Sequence, residues 1–238
     1  MPIMTDTTPL VPQPFCALVI GSSGTIGSAF MELLEAHPSC NAIYGIHRTS
    51  PVPIDYQDLN TIEAAATALA NSGPFQLIIN TIGILHSESW MPEKKLDDLN
   101  AEQLQMLMQI NAIGPSLTIK HFSTLLDPAG AVMATLSAKV GSIEDNRLGG
   151  WYSYRASKAA LNMLIKTAAI EFGRTRPNTA LVALHPGTVN SRLSKPFKGE
   201  QIGRPPADAA SDMIKVLLSL SKEASGTFIN YSGESLPW

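Results

Sequence analysis

The chain has 238 residues, 45% of them hydrophobic, enough to bury a full core in one large α/β domain. A net charge of −3 argues against nucleic acid or an anionic membrane surface as the main partner. Two cysteines, Cys16 and Cys40, make no disulfide framework, and five scattered histidines supply no ligand set for a metal.

Residues 1–14 carry prolines at 2, 9, 12 and 14 and no basic start or long apolar stretch, so a loose tail is expected ahead of a single domain over 15–238. No apolar run reaches the ~18 residues of a membrane span, and the free cysteines fit a reducing compartment, so a cytoplasmic protein is expected. Strands are predicted at Phe15–Ile20, Asn41–Ile46, Phe75–Thr81, Ala131–Leu136, Thr179–His185 and Thr227–Tyr231, with Val52–Ile54 as a further short candidate. Several are apolar throughout, the pattern of parallel strands covered on both faces. Helices are predicted between them at Thr25–Ala36, Thr61–Asn71, Asn100–Leu126, Trp151–Gly173 and Ala207–Ser221. Asn100 with Gln103 reads as a capping box opening the third. Right-handed crossovers then give a single-domain α/β fold, a doubly wound, Rossmann-like parallel sheet with helices on both faces.

The turn Gly21-Ser-Ser-Gly24-Thr-Ile-Gly27 leaves the first strand and opens a helix. Its glycines allow the tight bend and let backbone N–H groups reach a pyrophosphate, and Ser22, Ser23 and Thr25 add hydroxyls. At the end of the second strand no acid occurs between Cys40 and Ile54, where an NAD enzyme would place one. Arg48 stands there instead, a base suited to clamping the 2′-phosphate of NADP(H), with NAD(H) the less favoured cofactor. Asn80 can brace neighbouring strand ends, and Gly83 leaves room for a flat cofactor. Asn111 interrupts an apolar helix just before Gly114-Pro115, where the hydrogen-bond ladder is expected to break. Its amide either holds a water that feeds protons to the site or satisfies freed backbone groups. Tyr154 and Lys158 are four apart on one helical face; a cation beside a phenol lowers the pKa of the phenol and makes it a usable acid. The long segment Asn190–Pro206 reads as a lid or substrate wall, and Ile84–Leu99, with His86 and Trp90, as the opposite wall. His86 is read as a solvated loop residue rather than a base.

Taken together, GSSGTIG, NTIG at 80–83, Asn111, the serine region at 137–142, Tyr154-x-x-x-Lys158 and His185-Pro-Gly-Thr188 resemble the short-chain dehydrogenase/reductase family. The resemblance runs from about Phe15 onward, and 137–163 is similar to carbonyl-reductase-like and C-factor-like members. It implies an oxidoreductase that moves hydride between NADP(H) and an aldehyde or ketone, with Tyr154 as proton donor. Lys158 would bind the nicotinamide ribose and depress the tyrosine pKa, and Asn111 would belong to a proton relay. Gly21, Ser23, Gly24, Ile26 and Gly27 would line the pyrophosphate and Asp55 the adenine edge, while Thr188 would hold the carboxamide beside Pro186 and Gly187. Family habit also implies a homo-oligomer. Two departures stand out. The glycines are spaced GxxGxxG, commoner in the longer branch of the family, although only a short tail follows Asn230. The usual Ser-Ser-x-x-Gly, aligned on Gly141, puts Ala138 where the catalytic serine belongs. Ser137 is then the chosen donor, and Ser142 the other candidate. The alanine also prompts an alternative, a cofactor-binding regulatory protein of the same fold with little turnover.

Overall fold

Six apolar runs pair side by side in the computed structural model of the chain, which describes residues 8–238. They are β1 (Phe15–Ile20), β2 (Cys40–Ile46), β3 (Leu77–Asn80), β4 (Ala131–Leu136), β5 (Thr179–His185) and β6 (Phe228–Asn230). All pairings are parallel, in the order β2-β1-β3-β4-β5-β6. Side chains alternate across the strands and feed two cores. Leu18, Ile20, Ile78 and Met133 face α2 (Asn60–Ala68), α4 (Gly114–Phe122) and α5 (Tyr152–Thr175). Val19, Leu77, Ile79 and Val132 face α1 (Thr25–Glu35) and α7 (Pro206–Ser219). The chain leaves β1 for one side of the sheet and returns through β3 on the other, so the carboxyl ends of β1 and β3 border a crevice.

The strands follow the apolar runs closely, and the differences have local causes. Val52–Ile54 does not join the sheet, because β3 takes the free edge of β1 directly. That segment is folded back on the end of β2, Ile54 N–H donating to the His47 carbonyl at 3.2 Å. The helix predicted over 100–126 is divided into α3 (Ala101–Met108), a π-helical turn at Gln109–Ile113 and α4. The break falls at Asn111, as expected, and it lets Gly114 lie against the buried ring of Tyr56 with no room for a β-carbon. Only half of the predicted capping box forms: Asn100 Oδ1 accepts Gln103 N–H at 3.0 Å, while the Gln103 side chain donates to the Met91 carbonyl.

The loose tail is corrected for its described part. Leu10 N–H donates to the Leu220 carbonyl at 2.8 Å, and Val11 is buried against β1 and its neighbours. Residues 1–7 lie outside the described residues. The segment 190–206 is built rather than irregular. It holds a 3₁₀ turn at Lys195–Phe197 and the short helix α6 (Gly199–Ile202), and it is clipped at its base by a bridge between Val189 and Arg204.

Candidate active site

The crevice has two ends that share Thr81, Ile82 and Gly83 as their floor. Gly21, Ser23, Gly24, Arg48, Asp55 and Tyr56 line one end. Ile26, Ser137, Ala138, Tyr154, Lys158, His185, Pro186 and Gly187 line the other, with Ser191 and Leu193 from the 190–206 segment.

At the first end the glycine turn is shaped by close approach. Gly21 has φ +85°, and a β-carbon there would stand 2.6 Å from Thr81 Oγ1. Gly27 lies beneath, where a β-carbon would run into the Gly21 carbonyl, so it makes the turn possible without lining the crevice. Thr25 opens α1 and is also outside the lining. The exposed Gly24 and Ser23 present backbone at the start of an 11-residue helix, a cradle that fits a phosphate group. Arg48 is exposed at the rim beside Asp55. Asn80 is corrected as a cofactor ligand. It is fully buried, its Nδ2 donates to the Tyr56 hydroxyl at 2.8 Å, and its Oδ1 accepts Ile82 N–H at 3.1 Å. Thr188 is exposed and outside the lining, its carbonyl accepting Arg204 N–H.

At the second end Tyr154 and Lys158 stand one helical turn apart near the start of α5, 7% and 4% exposed. The Lys158 Nζ lies 5.9 Å from the Tyr154 ring centroid and donates to the Leu136 carbonyl at 3.0 Å. Burial pushes the Tyr154 phenol up and Lys158 down, from 10.5 to about 8. The expected lowering of the phenol is therefore corrected in this structure: burial alone sets its shift, with the ammonium 5.9 Å from the ring centroid. Gly83 is the meeting point of two more groups. A β-carbon there would stand 3.3 Å from Asn111 Oδ1 and 3.4 Å from Lys158 Nζ. Asn111 itself spends both ends of its amide on Ile84, accepting its N–H and donating to its carbonyl at 2.9 Å each, with Ser157 Oγ as a further acceptor.

Neither serine offers a free hydroxyl beside the phenol. Ser137 lines the crevice, but its Oγ donates to Asn162 Oδ1 at 2.6 Å, two turns beyond Tyr154 on α5. The Ser142 hydroxyl donates to the Trp238 carbonyl and accepts Asp145 N–H. Ala138 occupies the nearby lining without a hydroxyl. The choice of Ser137 as donor is corrected on this geometry.

Three features go beyond the sequence reading, which named His185 only within the run His185-Pro-Gly-Thr188. His185 lines the crevice with Nδ1 buried and unpaired; burial, Lys139 and Lys158 push it down to about 4. Its place at the end of a strand, before Pro186-Gly187, was the available signal. Aromatic rings gather beside Tyr154: Trp151 packs on its ring, and Phe197 meets Trp151 at 4.9 Å and His86 at 6.0 Å, so His86 is packed in the wall rather than simply solvated. Glu93, in the 84–99 segment, is 2% exposed and bonds the first turn of α5.

Residues 34–215 match the model of a family described as enoyl-(acyl carrier protein) reductase. The 1-hydroxy-2-glutathionyl-2-methyl-3-butene dehydrogenase of Rhodococcus sp. (strain AD45) is 32% identical over 188 residues, 78% of each chain. The chain belongs to the short-chain dehydrogenase/reductase family. The C-signal of Myxococcus xanthus is also 32% identical, over 70% of this chain and 95% of that one. Among solved structures, the NADPH-bound carbonyl reductase from chicken fatty liver superposes with a TM-score of 0.81 at 25% identity, covering 95% of both chains. The protein is thus an NAD(P)-dependent oxidoreductase of that family. Its described residues contain no helix long and apolar enough to cross a membrane.

Proposed function

We propose that this protein is an NADPH-dependent reductase of aldehydes or ketones, working in reverse as an alcohol dehydrogenase, with Tyr154 as the proton donor. The observation that carries this reading is the buried pair Tyr154 and Lys158, on a crevice continuous with the glycine turn and Arg48. A reduced nicotinamide supplies hydride to the substrate carbon when bound. Burial keeps the phenol protonated at neutral pH, the state a donor to the carbonyl oxygen needs. Lys158 stays charged at pH 7 and stabilises the phenolate left after transfer. We assign Asn111 to holding Gly83 and Ile84 beneath the crevice, since its amide is committed to Ile84. Gly21, Ser23 and Gly24 would hold the pyrophosphate, Asp55 the adenine edge, and Arg48 a 2′-phosphate. The NADPH named in the chicken enzyme's structure supports that preference. The substrate is a small carbonyl or alcohol, and the two unpaired cysteines suit the reducing cytoplasm.

Purified protein mixed with NADPH and a panel of aldehydes and ketones tests this. Turnover that disappears in Tyr154→Phe with NADPH binding retained is expected. A variant as active as the wild type would refute the donor, and preference for NADH would refute the Arg48 clamp. One observation favours a second reading, a regulatory protein with little turnover: neither Ser137 nor Ser142 offers a free hydroxyl beside Tyr154. Tight NADPH binding without turnover on any carbonyl would decide for it.

A further inference from the structure

The helix that carries Tyr154 has no cap of its own. Gly149, Gly150 and Trp151 lead into it, Trp151 sits in the left-handed region at φ 52°, and its side chain bonds none of the free amides. Ser, Thr, Asp or Asn would ordinarily supply that bond. Here the acceptor comes from sixty residues upstream. Glu93 Oε2 accepts Ser153 N–H at 3.3 Å, and Oε1 accepts the Ser153 hydroxyl. The backbone carbonyl of Glu93 accepts Trp151 N–H at 2.6 Å. A carboxylate at the positive end of a 24-residue helix is also favoured electrostatically.

These bonds fix the two residues that flank Tyr152, immediately before Tyr154. The Trp151 ring in turn packs edge-on against the Tyr154 ring at 6.1 Å and meets Phe197 of the 190–206 segment. Arg155 secures the same turn from its other side, donating to the carbonyls of Val140, Gly149 and Gly150. Glu93 touches the phenol nowhere, yet the turn on which the phenol stands is held through it.

We propose that Glu93 is a positioning residue for Tyr154. Its carboxylate caps the first turn of α5 at Ser153 from the opposite wall and so sets the angle at which the phenol enters the crevice, while its backbone carbonyl, kept in any variant, holds Trp151. The inference rests on Tyr154 being the proton donor. Its test measures kcat and both KM values with NADPH and the best carbonyl of the panel, together with hydrogen exchange at the amides of 152–155. Glu93→Ala is expected to lower kcat about tenfold or more, as small misplacements of a reacting group do, with the KM for NADPH within about twofold of wild type. Glu93→Gln keeps an acceptor oxygen and is expected to restore most of kcat and the slow exchange. Full kcat in Glu93→Ala overturns the proposal. So does equal loss in Glu93→Gln, or a KM for NADPH that rises in step with the loss of kcat. If Glu93→Ala does not fold, Ser153→Ala removes one bond of the cap; a smaller loss of kcat is expected, and unchanged kcat overturns the proposal. Wild-type protein without turnover defeats the donor assignment itself, a result separate from wild-type turnover that Glu93→Ala leaves intact.

Discussion

Lys158→Met exchanges a buried ammonium for an apolar chain of similar reach, and its effect on stability follows from the pKa. Burial lowers Lys158 from 10.5 to about 8 in the folded protein, whereas in the unfolded chain it titrates near its ordinary value. Below pH 8 the lysine is charged in both states, and burying that charge costs the fold about 3 kcal/mol, at ~1.4 kcal/mol per tenfold change in proton affinity. Between pH 8 and 10.5 the folded lysine is neutral while the unfolded one keeps its proton, so the cost shrinks as pH rises. The wild type should therefore gain about 2–3 kcal/mol on Lys158→Met between about pH 7 and about pH 10. The lost hydrogen bond to the Leu136 carbonyl adds an offset of about 1–3 kcal/mol against the variant, largely independent of pH. Tyr154, raised by burial, costs stability once the unfolded phenol ionises above about pH 10, and does so in both proteins. Urea unfolding across that range, followed by circular dichroism, reads the difference directly. Parallel pH curves, or a variant that gains on the wild type as pH rises, would refute the reasoning.

Ala138→Ser puts a hydroxyl into the lining beside Tyr154, and kcat for carbonyl reduction should rise by up to about a hundredfold; unchanged kcat would mean that the position does not face the carbonyl. Gly27→Ala drives a β-carbon into the Gly21 carbonyl, so NADPH affinity should fall by at least about tenfold, measured by fluorescence titration, together with a lower Tm. Burial pushes the Cys16 thiol up to about 11 and raises Cys40 as well, so iodoacetamide at about pH 8 should label neither until the protein unfolds. Rapid labelling of native protein, read by mass spectrometry, would contradict that.

The sheet was legible because β4 is buried throughout and β5 as far as Leu184, and such strands are written as mostly apolar runs. The break at Asn111 was legible too, since a buried amide, a glycine and a proline in succession disturb any helix. Side-chain direction was not. Ser137 and Asn80 are the right residue types at the right strand ends, but each is bonded to a partner distant in sequence, Asn162 and Tyr56. Glu93 lies in a stretch without periodicity, and the clue to it was indirect: Gly-Gly-Trp before a long helix leaves amides that some other segment must satisfy. The shift of the Tyr154 phenol depends on burial, which no spacing of letters encodes.

The wide turn at Gln109–Ile113 holds more residues than a regular helix would use. Removing one would close the turn to a regular helix and leave the segments on either side near their places. Asn111, which the wide turn carries, would then lose its bonds to Ile84. The one extra residue is thus what brings a side-chain amide under the floor of the crevice.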